Sequence, residues 1–233
     1  VARQIKTTPI YEKLKNSGAQ FIDNYGWEKP KFFSKNNEKE NYSYRRNNAF
    51  NYTKKECENI HNNVGILDLS TFAKYEISGE DSKKFLDRLC SNVIPKNDGS
   101  IVLTHMLNEK GRIQSELTVT RLPNNIFYVL SSTASELRDL DWFVQHKNND
   151  ENVNIKNITN EFGVLVLAGP RSRDVLLNVT SEDMTNAKFP WLKCKEIIIA
   201  DKKVRALRIN YLGELGWELH LPFIDMEFLY DKL

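Results

Sequence analysis

Two glutamates and a tyrosine carry the chemistry most readily read from this chain. In Arg208-Ile-Asn-Tyr-Leu-Gly-Glu-Leu-Gly-Trp-Glu-Leu-His-Leu221, apolar runs flank a tight Tyr211-Leu-Gly-Glu-Leu-Gly216 turn, the pattern of a hairpin-like connection between two strands. Strand alternation puts Trp217 and Leu219 on one face and Glu218 and His220 on the other. Glu218 therefore leaves a strand beside a Gly-rich turn that carries Tyr211. A phenol that packs and a carboxylate that accepts paired N–H bonds from an amidine-like edge suit a flat, nitrogen-rich heterocycle. The plainer alternative is a hairpin with a solvent-facing glutamate.

Glu116 is the second centre. Along Arg112 to Val119 the apolar Ile113, Leu117 and Val119 share a face with Ser115, while Arg112, Gln114, Glu116 and Thr118 share the other. A carboxylate in mid-strand is unfavourable by propensity, so Glu116 belongs either to a solvated face or to a polar pocket.

The elements that position these groups read as an α+β chain. A helix over about Pro9 to Ser17 leads to strand-like Ala19–Ile22 and then to the Trp27 to Phe33 passage. The charged, Asn-rich stretch Lys35 to Tyr44 reads as a surface loop. A helix is expected from Thr53 to Asn63, with Thr53 as N-cap and Glu56 completing a capping box. Next come strand Lys74–Ile77, a helix over Lys83–Cys90, and an antiparallel meander of Ile101–Met106, Arg112–Arg121 and Ile126–Ser131. A helix over Ser135–Gln145 closes this unit. A second set follows: strand Gly163–Ala168, helix Ser172–Asn178, strands Glu196–Ala200 and Val204–Tyr211, the motif strand and a final helix.

Composition excludes several functions. A chain of 233 residues can bury a sizeable core, and its 27% charged content is ordinary for a globular protein. A formal charge of +2 with no basic, aromatic-interleaved run argues against nucleic acid, and no apolar stretch reaches membrane-spanning length. Cys57, Cys90 and Cys194 are odd in number and far apart, which favours a reducing compartment over a disulfide framework. His61, His105, His146 and His220 show no ligand spacing, so no metal site is expected. The expected location is cytoplasmic, or the mitochondrial matrix in a eukaryote.

Tyr-Leu-Gly-Glu-Leu-Gly-Trp-Glu resembles the signature of the glycine-cleavage T-protein (aminomethyltransferase) superfamily, which binds tetrahydrofolate. Further matches follow in the family's order: Thr8-Pro-Ile-Tyr-Glu-Lys-Leu14, Gly26-Trp27, Asn63-Val-Gly-Ile-Leu-Asp-Leu-Ser70, Asn108-Glu-Lys-Gly-Arg-Ile-Gln-Ser-Glu-Leu-Thr-Val119 and Gly169-Pro-Arg-Ser-Arg-Asp-Val-Leu176. Gly26-Trp-Glu-Lys-Pro30 with Phe32-Phe33 is similar to the folate-binding half of sarcosine and dimethylglycine dehydrogenases, as are Ser115-Glu-Leu-Thr-Val119 and Ser135-Glu-Leu-Arg-Asp-Leu140.

The resemblance implies a T-protein fold with two antiparallel-sheet subdomains. The first would be discontinuous, residues 1–56 plus 150–233, around a middle α+β subdomain of residues 57–149. Part of the first subdomain and the C-terminal barrel of full-length members would be missing. It also implies Glu116 as catalytic acid/base, with Tyr211 and Glu218 binding the pterin. Asn108 and Ser132 are weaker candidates for cofactor contact, since Asn108 opens a turn and Ser132 ends a strand, places where Asn and Ser serve structure.

The implied reaction forms 5,10-methylenetetrahydrofolate from the carbon released by dimethylglycine or sarcosine oxidation. Flavin chemistry would belong to a partner flavoprotein dehydrogenase domain or subunit, as the chain has no Gly-x-Gly-x-x-Gly. Alternatives are a glycine-cleavage aminomethyltransferase, a folate-dependent demethylase, and a non-catalytic folate-binding or assembly module.

Overall fold

The computed structural model describes residues 2–233. Helix α1 (Tyr11–Asn16) precedes a two-stranded ribbon, β1 (Ala19–Asn24) and β2 (Trp27–Phe33). Helix α2 (Ala49–Asn62) leads to β3 (Gly65–Asp68), β4 (Ala73–Ser78), α3 (Ser82–Leu89), β5 (Ile101–Leu107), β6 (Ile113–Leu122), β7 (Ile126–Ser131), α4 (Glu136–His146) and β8 (Asn154–Asn157). The chain closes with β9 (Phe162–Ala168), α5 (Ser172–Val179), β10 (Cys194–Ile199), β11 (Lys202–Leu207), β12 (Gly216–Pro222) and α6 (Met226–Lys232).

Two five-stranded antiparallel sheets organise these elements, in the orders β10-β11-β12-β9-β3 and β5-β6-β7-β4-β8. The α+β class and the meander β5-β6-β7 agree with the sequence expectation. Sheet membership crosses the boundaries expected at 57 and 149. β3 joins the sheet of the C-terminal strands, and β8 pairs with β4 through Tyr75↔Asn157 and Ile77↔Ile155.

Alternation along the strands divides the buried side chains between the outer faces of the two sheets and the layer between them. Leu165, Leu167, Trp217, Leu219 and Leu221 face outward from the first sheet and are covered by Leu14 of α1, Leu176 of α5 and Met226 and Leu229 of α6. Tyr75, Ile77, Leu117, Val119, Phe127 and Val129 face outward from the second sheet and are covered by Phe85, Leu86 and Leu89 of α3 and Phe143 of α4. Between the sheets lie Tyr128, Leu130, Cys194 and Leu207. Each such large side chain, fully buried, contributes about 1.5–3 kcal/mol. The result is a helix–sheet–sheet–helix stack in which the residues alternate to that of the core strand residues point into the inter-sheet layer.

Helix α2 starts at Ala49, not at the expected Thr53, and Asn48 occupies the N-cap position. The side chain assigned to the capping box is used elsewhere: Glu56 Oε1 accepts the Phe33 backbone N–H at 3.1 Å and ties α2 to β2. Tyr52, one turn before Glu56, stacks on Phe32 with centroids 5.6 Å apart and adds a second contact between α2 and β2. Asp68 Oδ1 accepts the Ser70 N–H at 2.9 Å and shapes the turn that follows β3. Among the described residues no helix is long and apolar enough to cross a membrane.

Candidate functional site

A cleft of about 540 Å³ opens at one end of the inter-sheet layer. That volume is within the range of small-molecule sites. β6 supplies Ser115, Glu116, Leu117 and Thr118, and the end of β7 and the following turn supply Leu130, Ser131 and Ser132. The opposite wall is Glu218 of β12 with Ile209, Asn210 and Tyr211 from the β11–β12 connection; Arg138 of α4 and Trp191 complete the rim.

Four of the five residues expected to form a site meet here: Glu116, Ser132, Tyr211 and Glu218. Asn108 does not reach the lining. Its Oδ1 accepts the N–H groups of Lys110 (3.0 Å) and Arg112 (3.1 Å), so it shapes the β5–β6 turn, the structural alternative already open to it. Ser132 pairs its hydroxyl with Ser135 Oγ at 2.9 Å at the start of the turn before α4, and Ser135 Oγ also accepts from Arg138 Nη2 at 2.7 Å.

The two carboxylates differ in surroundings. Glu116 is 71% exposed and sits 3.3 Å from Nε2 of its cross-strand partner His105. Glu218 is 13% exposed and lies 3.2 Å from Nε2 of fully buried His220. The motif's other glutamate turns away from the cleft: Glu214 Oε1 lies 3.0 Å from His61 Nδ1 on α2.

The connection before Glu218 is longer than the tight turn expected, because β11 ends at Leu207 and β12 begins at Gly216. Asn210 organises it, accepting the Leu212 N–H at 2.8 Å and donating to Glu214 O at 2.9 Å. Gly213 adopts φ +80°, and Gly216 leaves no room for a side chain: a Cβ there would stand 2.6 Å from Leu167 O and 2.7 Å from Asn210 Nδ2. Tyr211 is carried on this connection with its side chain 80% exposed, at the cleft's rim.

Asn210, His220, Tyr128 and Arg138 have no assigned role from sequence. Only His220 carries a signal there, its i+2 spacing from Glu218 on one strand face.

The profile of the family described as "GCVT N-terminal domain" matches residues 10–233. The chain belongs to this family. Rat (Rattus norvegicus) mitochondrial dimethylglycine dehydrogenase is 42% identical over 211 residues, 89% of this chain and 24% of that protein. An aminomethyltransferase of Bacillus pumilus is 29% identical over 230 residues, 98% of this chain and 58% of that one. The glycine cleavage system aminomethyltransferase T from Bartonella henselae superposes with a TM-score of 0.80 at 20% identity, covering 98% of this chain and 57% of that structure. The chain thus has the fold of the N-terminal part of an aminomethyltransferase, and it spans about a quarter of the dehydrogenase. The residues of the cleft, one nearly buried carboxylate, one exposed carboxylate, and apolar and aromatic side chains, are of the kinds that fit a flat heterocycle with an N–H edge.

Proposed function

We propose that this GCVT domain takes part in tetrahydrofolate-dependent one-carbon transfer, forming 5,10-methylenetetrahydrofolate from the carbon released when dimethylglycine or sarcosine is oxidised. The observation that carries this reading is the meeting of Glu116, Ser132, Tyr211 and Glu218, from separate elements, in one cleft. The 42% identity to a dimethylglycine dehydrogenase supports the choice of donor. We further propose a flavoprotein dehydrogenase domain or subunit as partner, and the mitochondrial matrix as the location in a eukaryote.

Tetrahydrofolate supplies the two amines that capture the carbon. Glu218 accepts from the N–H edge of the pterin and orients it. Tyr211 packs against or hydrogen-bonds to the ring from the rim. Glu116 takes and returns protons at the cleft mouth and stabilises cationic charge as it develops. The side chains divide the work: a nearly buried carboxylate holds, and an exposed one that can exchange protons with water reacts.

The subdomain division, residues 1–56 plus 150–233 around residues 57–149, is also a proposal; the two sheets support two units, and the pairings of β3 and β8 favour crossings nearer residues 70 and 158.

The test is methylene transfer in a form of the protein extended to the length of the aminomethyltransferases. Glu116→Gln keeps the shape and removes the proton acceptor, so turnover falls far more than tetrahydrofolate affinity. Equal turnover in the two forms removes Glu116 from the reaction. A second reading, a folate-binding or assembly module without turnover, is favoured by the 71% exposure of Glu116. It predicts folate binding with no methylene transfer at any length of chain.

A further inference from the structure

Glu218 is held by a buried row of side chains that crosses between the sheets. His220 Nε2 lies 3.2 Å from Glu218 Oε2, and His220 Nδ1 lies 2.9 Å from the Tyr128 hydroxyl. Tyr128 belongs to β7, in the opposite sheet. The two rings meet edge to face with centroids 5.3 Å apart, and neither residue is more than 1% exposed. The guanidinium of Arg205 lies 4.5 Å over the Tyr128 ring from β11.

Hydrogen counting fixes the tautomer. A carboxylate only accepts, so Nε2 carries the imidazole hydrogen. The neutral ring then has a bare Nδ1, which accepts the Tyr128 O–H. The environment agrees with this arrangement. Burial holds the His220 pKa below its ordinary value, with Glu218 pulling it up and Lys74 and Arg205 adding to the depression. Burial also pushes the Tyr128 phenol upward, so it keeps its proton to donate.

We propose that His220, its tautomer required by the carboxylate and its Nδ1 satisfied by the Tyr128 hydroxyl, is the positioning residue for Glu218: it fixes the carboxylate so that Oε1 is presented to the ligand. His220 occupies Oε2, and no hydrogen bond from another described residue engages Oε1. The ligand named here, a fused heterocycle presenting N–H donors, rests on the folate reading. The relay does not, because it is complete within the protein. A core histidine that merely satisfied its own hydrogen bonds would leave the Glu218 rotamer indifferent to its removal.

The experiment is NMR on the chain labelled at histidine and glutamate, with the His220 signals assigned by their loss in His220→Gln. The Nε2–H tautomer is expected in the wild type between about pH 6 and 8, the range in which histidines ordinarily titrate. Tyr128→Phe should leave the fold intact and the Nε2–H tautomer in place, because the Glu218 carboxylate still requires a donor there. His220→Leu should let Glu218 average among rotamers in its side-chain couplings, whereas His220→Gln, which retains a donor, should keep one rotamer. An Nδ1–H tautomer in the wild type or in Tyr128→Phe overturns the proposal, as does a Glu218 rotamer indifferent to His220→Leu. If the leucine variant does not fold, the tyrosine and glutamine variants decide.

A parallel titration with tetrahydrofolate separates the two readings. His220→Leu should weaken binding on the order of tenfold, the effect of one hydrogen bond to a charged group, and should add little to Glu218→Gln. A relay that behaves as described in a chain that binds no tetrahydrofolate rejects the folate reading and leaves the positioning role in place.

Discussion

Glu116 on β6 and Glu218 on β12 line the same cleft, although their strands belong to different sheets. The geometry follows from alternation. Leu117 and Val119 turn toward α3 and α4, while Trp217 and Leu219 turn toward α1, α5 and α6. The residues between them must then point into the inter-sheet layer from both sides. A carboxylate on each sheet brackets whatever enters, one nearly buried and one exposed.

Glu218→Gln should damage binding more than Glu116→Gln does. The amide replaces an acceptor that can receive two N–H bonds by a group with one acceptor oxygen and one donor, which repels one of the incoming hydrogens. A loss of roughly 1.5–3 kcal/mol, about 10- to 100-fold in affinity, is expected by tetrahydrofolate titration. Comparable affinities for both variants would contradict the division of labour between the two glutamates.

Gly216→Ala should destabilise the site's own scaffold. The added methyl meets the Leu167 carbonyl and the Asn210 side chain, and the carbonyl is backbone that cannot swing aside. A cost of about 2–3 kcal/mol, or a fall in Tm on the order of 5–10 °C, is expected by thermal unfolding. Gly213→Ala is the comparison, since nothing crowds its Cβ and only φ +80° opposes it. About 1 kcal/mol is expected there.

Much of the fold is legible in the sequence because alternation is strong where one strand face is fully buried. β6 is the clearest case, with Ser115, Leu117 and Val119 buried and Glu116 exposed, whereas β7 is buried on both faces and reads as a short apolar run. β2 is not legible as a strand because Pro30 interrupts it; a two-stranded ribbon tolerates proline, and Pro30 pairs with Phe21 beside a register shift. β8, Asn-Ile-Lys-Asn, is too short and polar to stand out, and only its pairing with β4 makes it a strand. At the site, Glu116, Tyr211 and Glu218 are legible from strand phase and the motif. Tyr128 is not, because its role comes from the opposite sheet.

Lys74 gives the protein a specific pH response. Its ammonium group is fully buried and donates to Ser70 O at 2.9 Å and Phe72 O at 2.6 Å. Burial lowers its pKa from 10.5 to about 7, against the pull of Asp68 and Glu136. Between these values the unfolded chain holds a proton that the folded chain has released, so stability rises with pH. Burial pushes Cys90 and Cys194 up to about 12 from 9.0, which opposes this trend once unfolded thiols ionise, and His220 acts only below its ordinary 6.5. From about pH 7 to 8.5 a slope of up to about 1.4 kcal/mol per pH unit is expected in denaturant unfolding. Lys74→Met should flatten it. The same slope in both proteins would show that Lys74 is not its source.

Asn108→Ala should lower stability by about 1 kcal/mol through loss of its two turn hydrogen bonds and leave tetrahydrofolate affinity unchanged. Denaturant unfolding with a parallel titration checks both parts. A selective loss of affinity would return Asn108 to the binding site.

The account turns on whether the cleft between the sheets receives the pterin, and an NMR titration of the labelled chain with tetrahydrofolate measures that directly. A dissociation constant of about 1 mM or lower is expected, about −4 kcal/mol or stronger. The predicted result is saturable shifts at Glu116, Ser132, Tyr211 and Glu218, with none at the Asn108 turn beyond those of its neighbours. Shifts confined to another surface, or none at several times that concentration, would contradict it.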